Sequence, residues 1–279
     1  MRPVIAMQTD FGVGGGSAMR GTCLKVDPDL EVYEISHSIG KFDIRYAAES
    51  LRSIVPFWPE GTVFVSVVDP GVGTSRRASV AELCNGSYVV TPDNGTLTLL
   101  LDTPGIRAIR TIDERVNRLR GTEKVSIFHG RDLFAYCAAK LASGLIDFEG
   151  VGPEYPVDEI VRFPAVQYNF RDGYAESTVT GAMRTFGNIE TGIPIAAAAR
   201  AGIIPGGTFR FRIIREDGSA AFDGAVPYRS SFGWVPEGSE VMYNNSSGHI
   251  GIGVNLGDFS NKYGVSGSCG WKVIIEREQ

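Results

Sequence analysis

Three side chains able to hold or move charge stand out in this chain: Asp69 and His129, each after an apolar run, and Arg76, seven residues beyond Asp69. The β-branched run Phe64-Val-Ser-Val-Val68 stops at Asp69-Pro70-Gly71, which reads as a buried strand delivering a carboxylate at its C-terminal end. Arg76 follows after Gly71 and Gly73, far enough round a loop to fold back on that carboxylate. His129 lies in Phe128-His-Gly-Arg-Asp132, at the start of a helical pattern. An arginine beside a carboxylate keeps it ionised, and a neutral imidazole passes protons, so the three together could orient and polarise a water molecule. Taken singly, each has a plain alternative: a solvated turn with an incidental arginine, and a hydrogen-bonded core histidine.

The elements that must position these groups read as an α/β unit. Val4–Thr9 is a strand ending at Asp10, Ser17–Val26 has helical spacing, and Leu30–Ile35 is a second strand closed by Ser36-His37-Ser38. Asp43–Val55 is a helix with Ile44, Ala47, Ala48, Leu51 and Ile54 on one face, and Thr62–Val68 carries Asp69. Ala78–Leu83 and Tyr88–Thr91 form a hairpin through Asn85-Gly86, Thr96 caps a short Leu-rich helix, Ala108–Ile112 is a strand and Phe128–Leu141 a helix. Such alternation predicts a largely parallel sheet with helices on its faces over 1–150. The prolines and acids of 151–166 suggest a linker. In 167–279, short alternating runs punctuated by Gly, Asn and Asp predict a smaller all-β, barrel-like domain. Open α/β sheets bind ligands at the C-terminal ends of their strands, where Asp10 and Asp69 stand.

At 279 residues the chain is long for one core, which favours two domains. With 43% hydrophobic and 21% charged residues, disorder is excluded. A net charge of −5, with scattered Lys and Arg, gives no footprint for nucleic acid or an anionic membrane, so a small-molecule partner is expected. The N-terminus has neither a signal-peptide core nor a membrane span, which predicts a cytoplasmic protein. Cys23, Cys84, Cys137 and Cys269 are too far apart for a zinc or dithiol site and read as buried free thiols, and the three histidines (His37, His129, His249) do not form a metal cluster; no metal is expected.

The cluster Gly12-Val-Gly-Gly-Gly16 misses the dinucleotide spacing because Ser17 takes the last position, and there is no P-loop. Asp10 could accept hydrogen bonds from ribose hydroxyls, or could simply cap a turn.

Thr9-Asp-Phe-Gly12, Ile35-Ser-His37, Val67-Val-Asp-Pro-Gly-Val-Gly-Thr-x-Arg-Arg77, Pro92-Asp-Asn-Gly95, Phe128-His-Gly-Arg-Asp132 and Phe186-Gly-Asn188 closely resemble the S-adenosyl-L-methionine (SAM) hydroxide adenosyltransferases, SAM hydrolases related to fluorinase and chlorinase. The resemblance runs in order over nearly the whole chain. It implies an enzyme in which water or hydroxide attacks ribose C5′ of SAM and expels methionine to leave adenosine, with no metal or cofactor. On these motifs the catalytic trio maps to Asp69, Arg76 and His129, with the Gly130 amide near the nucleophile. Asp10 would hold the ribose, Phe42 and Phe128 would wall the nucleoside, and Asn188 would face the adenine. Phe186 and Ser246 complete the implied substrate-binding set. The family likeness also implies a homotrimer with sites at subunit interfaces.

Departures fall on the amino-acid end of the substrate. Ala182-Met183-Arg184-Thr185 lacks the aspartate of relatives, Gly14-Gly-Gly-Ser-Ala18 replaces an acid and a Tyr-Val, Gly192 replaces an asparagine, and Asn245-Ser-Ser-Gly248 lacks a basic residue of the halogenases. Two other readings therefore stand beside hydrolysis of SAM. One is the same displacement on another 5′-substituted adenosine or with another nucleophile. The other is a non-catalytic adenosine-binding protein.

Overall fold

The computed structural model describes residues 4–183, 185–266 and 270–277. The chain divides into two compact units, Met1–Phe163 and Pro164–Gln279.

The first unit is built on a seven-stranded sheet. Its strands are β1 (Ile5–Thr9), β2 (Val32–Ser36), β3 (Val63–Val67), β4 (Ala78–Leu83), β5 (Tyr88–Pro92), β6 (Ile106–Thr111) and β7 (Glu154–Tyr155), in the order β2-β1-β3-β5-β4-β6-β7. The pairings from β2 through β5 are parallel, and those among β5, β4, β6 and β7 antiparallel, so the sheet is mixed. The switch follows from the tight turn at Asn85-Gly86, where Gly86 N–H donates to Leu83 O at 3.0 Å; a hairpin must be antiparallel.

Helices cover both faces. Ile5, Met7, Val63, Val65 and Val67 pack against α1 (Ser17–Val26), while Ala6 and Phe64 face the core under α2 (Ile44–Ile54). This two-sided burial is why β1 and β3 read as mainly apolar runs without alternation. Of their buried polar residues Gln8, Thr9 and Ser66, Gln8 spends its amide on Ala47 O and Ser66 Oγ, both at 2.9 Å, and accepts from Ser50 Oγ at 2.6 Å. Helix α2 starts where Asp43 accepts from Tyr46 N–H at 3.0 Å and stops at Pro56.

Beyond β6, α3 (Glu114–Asn117) leads to a π-helical turn over Gly130–Ala135, which runs into α4 (Tyr136–Ala142). The sequence pattern had marked this as one helix, and the wide turn is where it departs. Thr96 caps nothing: the Leu-rich segment is a single 3₁₀ turn at Thr98–Leu100, and the Thr96 hydroxyl donates to Asn94 Oδ1 at 2.8 Å. Most of the stretch expected as a linker, 151–166, belongs to the first unit. Within it β7 pairs with β6, Tyr155 OH donates to Asp93 Oδ2 at 3.0 Å, and Val161 N–H donates to Asp93 Oδ1 at 2.9 Å.

In the second unit every pairing between named strands is antiparallel. The unit comprises β8 (Asn169–Arg171), β9 (Tyr174–Ala182), β10 (Ile189–Pro194), α5 (Ile195–Arg200), β11 (Thr208–Ile214), β12 (Ala220–Pro227), β13 (Glu240–Asn244), β14 (His249–Val254), α6 (Phe259–Tyr263) and β15 (Lys272–Arg277). The order β12-β11-β15-β9-β10-β14-β13, with Tyr228 bridged to Met242, curls the sheet into a nearly closed barrel. Strand β9 buries every second residue, the period-two signature of a sheet with one wet face. Strands β10 and β12 escaped sequence reading because each contains a glycine and ends in proline; Gly192 is required where a Cβ would lie 2.2 Å from Val166 and 2.4 Å from Ser177 Oγ.

Cys23 and Cys137 are buried thiols, each pushed up to about 12 by burial. Cys84 corrects the expectation of burial, since it is exposed at the tip of the β4–β5 hairpin. Cys269 lies outside the described residues. No helix among the described residues is long and apolar enough to cross a membrane.

Candidate active site

Strands β1 and β3 are parallel neighbours, with Thr9 opposite Val67, so Asp10 and Asp69 emerge at the same edge of the sheet. From there Asp69-Pro-Gly-Val-Gly-Thr-Ser-Arg76 loops out and returns as β4. The loop needs Gly73: its φ is +76°, and a Cβ there would lie 2.9 Å from Ser126 O. That close approach lets the segment leading to His129 lie against the loop carrying Arg76.

The three groups singled out above are joined through one atom. Arg76 Nη2 lies 2.5 Å from Asp69 Oδ2 and 2.9 Å from His129 Nδ1. Arg76 Nε adds bonds to Asp69 Oδ2 at 2.9 Å and Oδ1 at 3.1 Å, giving a forked pairing. Both side chains are nearly out of solvent, 10% exposed for Arg76 and 4% for Asp69. The guanidinium also sits over the buried Phe134 ring, 5.2 Å from its centroid. A guanidinium has no lone pair to offer, so His129 Nδ1 must be the acceptor. The imidazole is then neutral with its proton on Nε2. Burial first, and Arg76 second, hold its pKa below the ordinary histidine value, which agrees with a neutral ring.

Gly130 follows at the start of the π-helical turn. A Cβ on it would lie 2.9 Å from the Phe11 ring and 3.4 Å from Met19 Sδ, so only glycine lets this backbone close on the Thr9-Asp-Phe segment. Phe11 meets Phe128 edge to face at 5.8 Å, and Arg131 lies over the Phe128 ring while pairing with the buried Asp132. Phe11, 37% exposed, thus belongs to the aromatic wall beside His129. Sequence reading passed it over because its motif was weighed for the acid only.

Asp10 accepts the Phe42 N–H on Oδ2 at 2.9 Å. Phe42 has φ +63°, rare for a side-chain-bearing residue; the residue is 55% exposed, with Lys41 Nζ 5.0 Å from its ring centroid. His37, in the Ile35-Ser-His37 motif, is buried: its Nδ1 pairs with Thr9 Oγ1 at 2.8 Å, and burial lowers its pKa. It is a structural post for the β1 end. Gly12 N–H donates to His37 O at 2.7 Å, so the glycine cluster is part of the turn into α1.

The remaining expected residues are in the second unit. Asn188 is buried immediately before β10, and a Cβ on Gly253 would lie 2.3 Å from Asn188 Oδ1 and 2.9 Å from the Phe232 ring, so this glycine seats both. Phe232 packs on Tyr243 at 4.7 Å. Phe186, 60% exposed, precedes Asn188. Ser246 is exposed at the β13–β14 turn, whose backbone is held by Asn245 Oδ1 accepting from Ser247 and His249 N–H. Met183 is exposed at the end of β9, and Arg184 lies outside the described residues. Among the described residues no cluster of His, Cys, Asp or Glu is arranged to hold a metal ion.

The SAM hydroxide adenosyltransferase N-terminal domain model matches residues 5–152, and its C-terminal counterpart matches 185–272. The (R)-S-adenosyl-L-methionine hydrolase of Thermus thermophilus is 37% identical over 273 residues, covering 95% of this chain and 96% of that protein. The enzyme of the same name from Salinispora tropica is 32% identical, covering 95% of each. An uncharacterized conserved protein from Thermotoga maritima superposes with a TM-score of 0.86 at 30% identity, covering 98% of this chain and 100% of that one.

Proposed function

The chain belongs to the SAM hydroxide adenosyltransferase family, and from that premise we propose that it hydrolyses SAM to adenosine and L-methionine, with Asp69, Arg76 and His129 as the catalytic residues. The observation that carries the assignment of residues is the single Arg76 nitrogen bonded to both Asp69 and His129.

A sulfonium leaves as a neutral thioether, so the departing group needs no acid. The barrier lies in desolvating water and aligning it behind C5′. Water oxygen attacks C5′, the C5′–S bond breaks with its electron pair passing to sulfur, and one water proton is released. With water's pKa near 15.7, loss of that proton accompanies bond formation rather than preceding it. In this reading Asp69 accepts the proton through lone pairs that Arg76 leaves free. His129, its Nδ1 committed to Arg76, directs Nε2–H at the water oxygen, and the Gly130 amide supports the same oxygen. The reaction requires no cofactor.

Asp10 and Phe42 serve the ribose and nucleoside, Phe128 walls the same region, and Asn188, Phe186 and Ser246 serve the adenine and methionine ends. We also propose a cytoplasmic homotrimer with its sites at subunit interfaces, which rests on family likeness and is tested by analytical ultracentrifugation. For the activity, purified protein is incubated with SAM and the products are separated. Equimolar adenosine and methionine support the reading; intact SAM overturns it. A 5′-halogenated product on adding chloride would replace water as the nucleophile.

A further inference from the structure

The parallel ladder between β3 and β5 ends at Val65 opposite Val90, whereas β1 stays paired with β3 as far as Val67. The registered pairing with β5 therefore stops short of the last residues before Asp69. Their support comes from the turn that follows β5. Asn94 Nδ2 donates to Val68 O at 2.9 Å, one residue before Asp69, and Asp93 N–H donates to Arg77 O at 2.9 Å, one residue after Arg76. Two adjacent residues thus grip both stems of the loop that bears the ion pair.

The grip is itself braced. Thr96 donates its hydroxyl to Asn94 Oδ1 at 2.8 Å, which fixes the amide with its NH₂ towards Val68. The Asp93 carboxylate is held by Tyr155 OH and Val161 N–H, and Tyr155 OH reaches Ser79 Oγ at 2.8 Å.

We propose that Asn94, with the Asp93 backbone, is a clasp that sets the direction of Asp69 and the reach of Arg76 to His129. Asn94 is a positioning residue; it acts through the backbone of Val68. Without it the Asp69 end of the strand is free to tilt, the forked pairing loosens, and Arg76 no longer donates squarely to His129 Nδ1. The catalytic consequence rests on the hydrolase reading.

The test compares Asn94→Ala with the unaltered chain. The expected result is a kcat about 100-fold lower, as for a displacement of roughly 1 Å in a reacting geometry, with KM for SAM changed less than about threefold. In an Asp69→Asn background, Asn94→Ala should cost less than about twofold further, since residues acting through one element are not additive. An equal loss in both backgrounds overturns the proposal. A readout independent of turnover is the ring ¹⁵N spectrum of His129: its single Nε2–H tautomer should become mixed in Asn94→Ala, while the His37 signals stay put. Unchanged His129 signals also overturn it. If wild-type protein leaves SAM intact, the hydrolase reading falls and the ¹⁵N result alone decides the clasp. Should Asn94→Ala fail to fold, Thr96→Val, which frees the amide to turn, is expected to lower kcat about 3- to 10-fold and mix the His129 tautomer in part, and no change in either is the negative result.

Discussion

Arg76 Nη2 stands 2.9 Å from His129 Nδ1, and because the guanidinium has only protons to give, it dictates which nitrogen of the imidazole carries the proton. Lysine in its place keeps the charge but loses the fork that reaches Asp69 and His129 together. Arg76→Lys should lower kcat about 100-fold or more, with adenosine affinity retained, as measured by steady-state kinetics and calorimetry.

The Asp69 carboxylate is the proposed acceptor of the water proton. Asp69→Asn keeps its shape and should lower kcat about 10²- to 10⁴-fold. It also leaves a nearly buried guanidinium without a counter-charge, for which the cost of removing one partner runs to about 3 kcal/mol. Denaturant unfolding should show that loss, and retained stability would mean that the pair contributes little to the fold.

His129 titrates below its ordinary value of 6.5, because burial and then Arg76 oppose its charge. Between the depressed folded value and 6.5 the unfolded chain binds a proton that the folded chain does not, so stability rises with pH across that window and is lost as pH falls through it. Activity should follow the neutral imidazole and persist below pH 6.5, failing only at more acid values. In Arg76→Gln, NMR titration should find His129 moved upward yet still held down by burial.

Gly130 leaves room for the Phe11 ring and nothing more. Gly130→Ala should cost about 1–3 kcal/mol and displace the amide beside His129. Phe11→Ala in the same chain should recover most of the stability, measured by thermal unfolding, without restoring the aromatic wall.

Phe42 holds a left-handed backbone through the bond from its N–H to Asp10. Phe42→Gly should therefore be more stable than Phe42→Ala by about 1 kcal/mol. Both variants should raise KM for SAM, since both remove the ring. Equal stability would show that Asp10 does not constrain this turn.

The sequence by itself determined the order of the first unit from β1 to β6, though not α3 or β7, the strand-end placement of Asp10 and Asp69, and the motifs that place the chain in its family. These are local signals: an apolar run on a strand buried on both faces, glycines where a turn demands them, and an acid where the run stops. Strands β10 and β12 were illegible because glycine and proline interrupt their alternation, and the packing that requires those residues is tertiary. The mixed sheet likewise depends on where the β4–β5 hairpin docks. Only the folded chain decided that Arg76 reaches both Asp69 and His129, that His129 presents Nε2–H, and that Asn94 holds the strand end beneath them. Hydrogen bonds between residues as far apart as 76 and 129 leave no periodic trace along the chain; their geometry is set by the surfaces that pack around them.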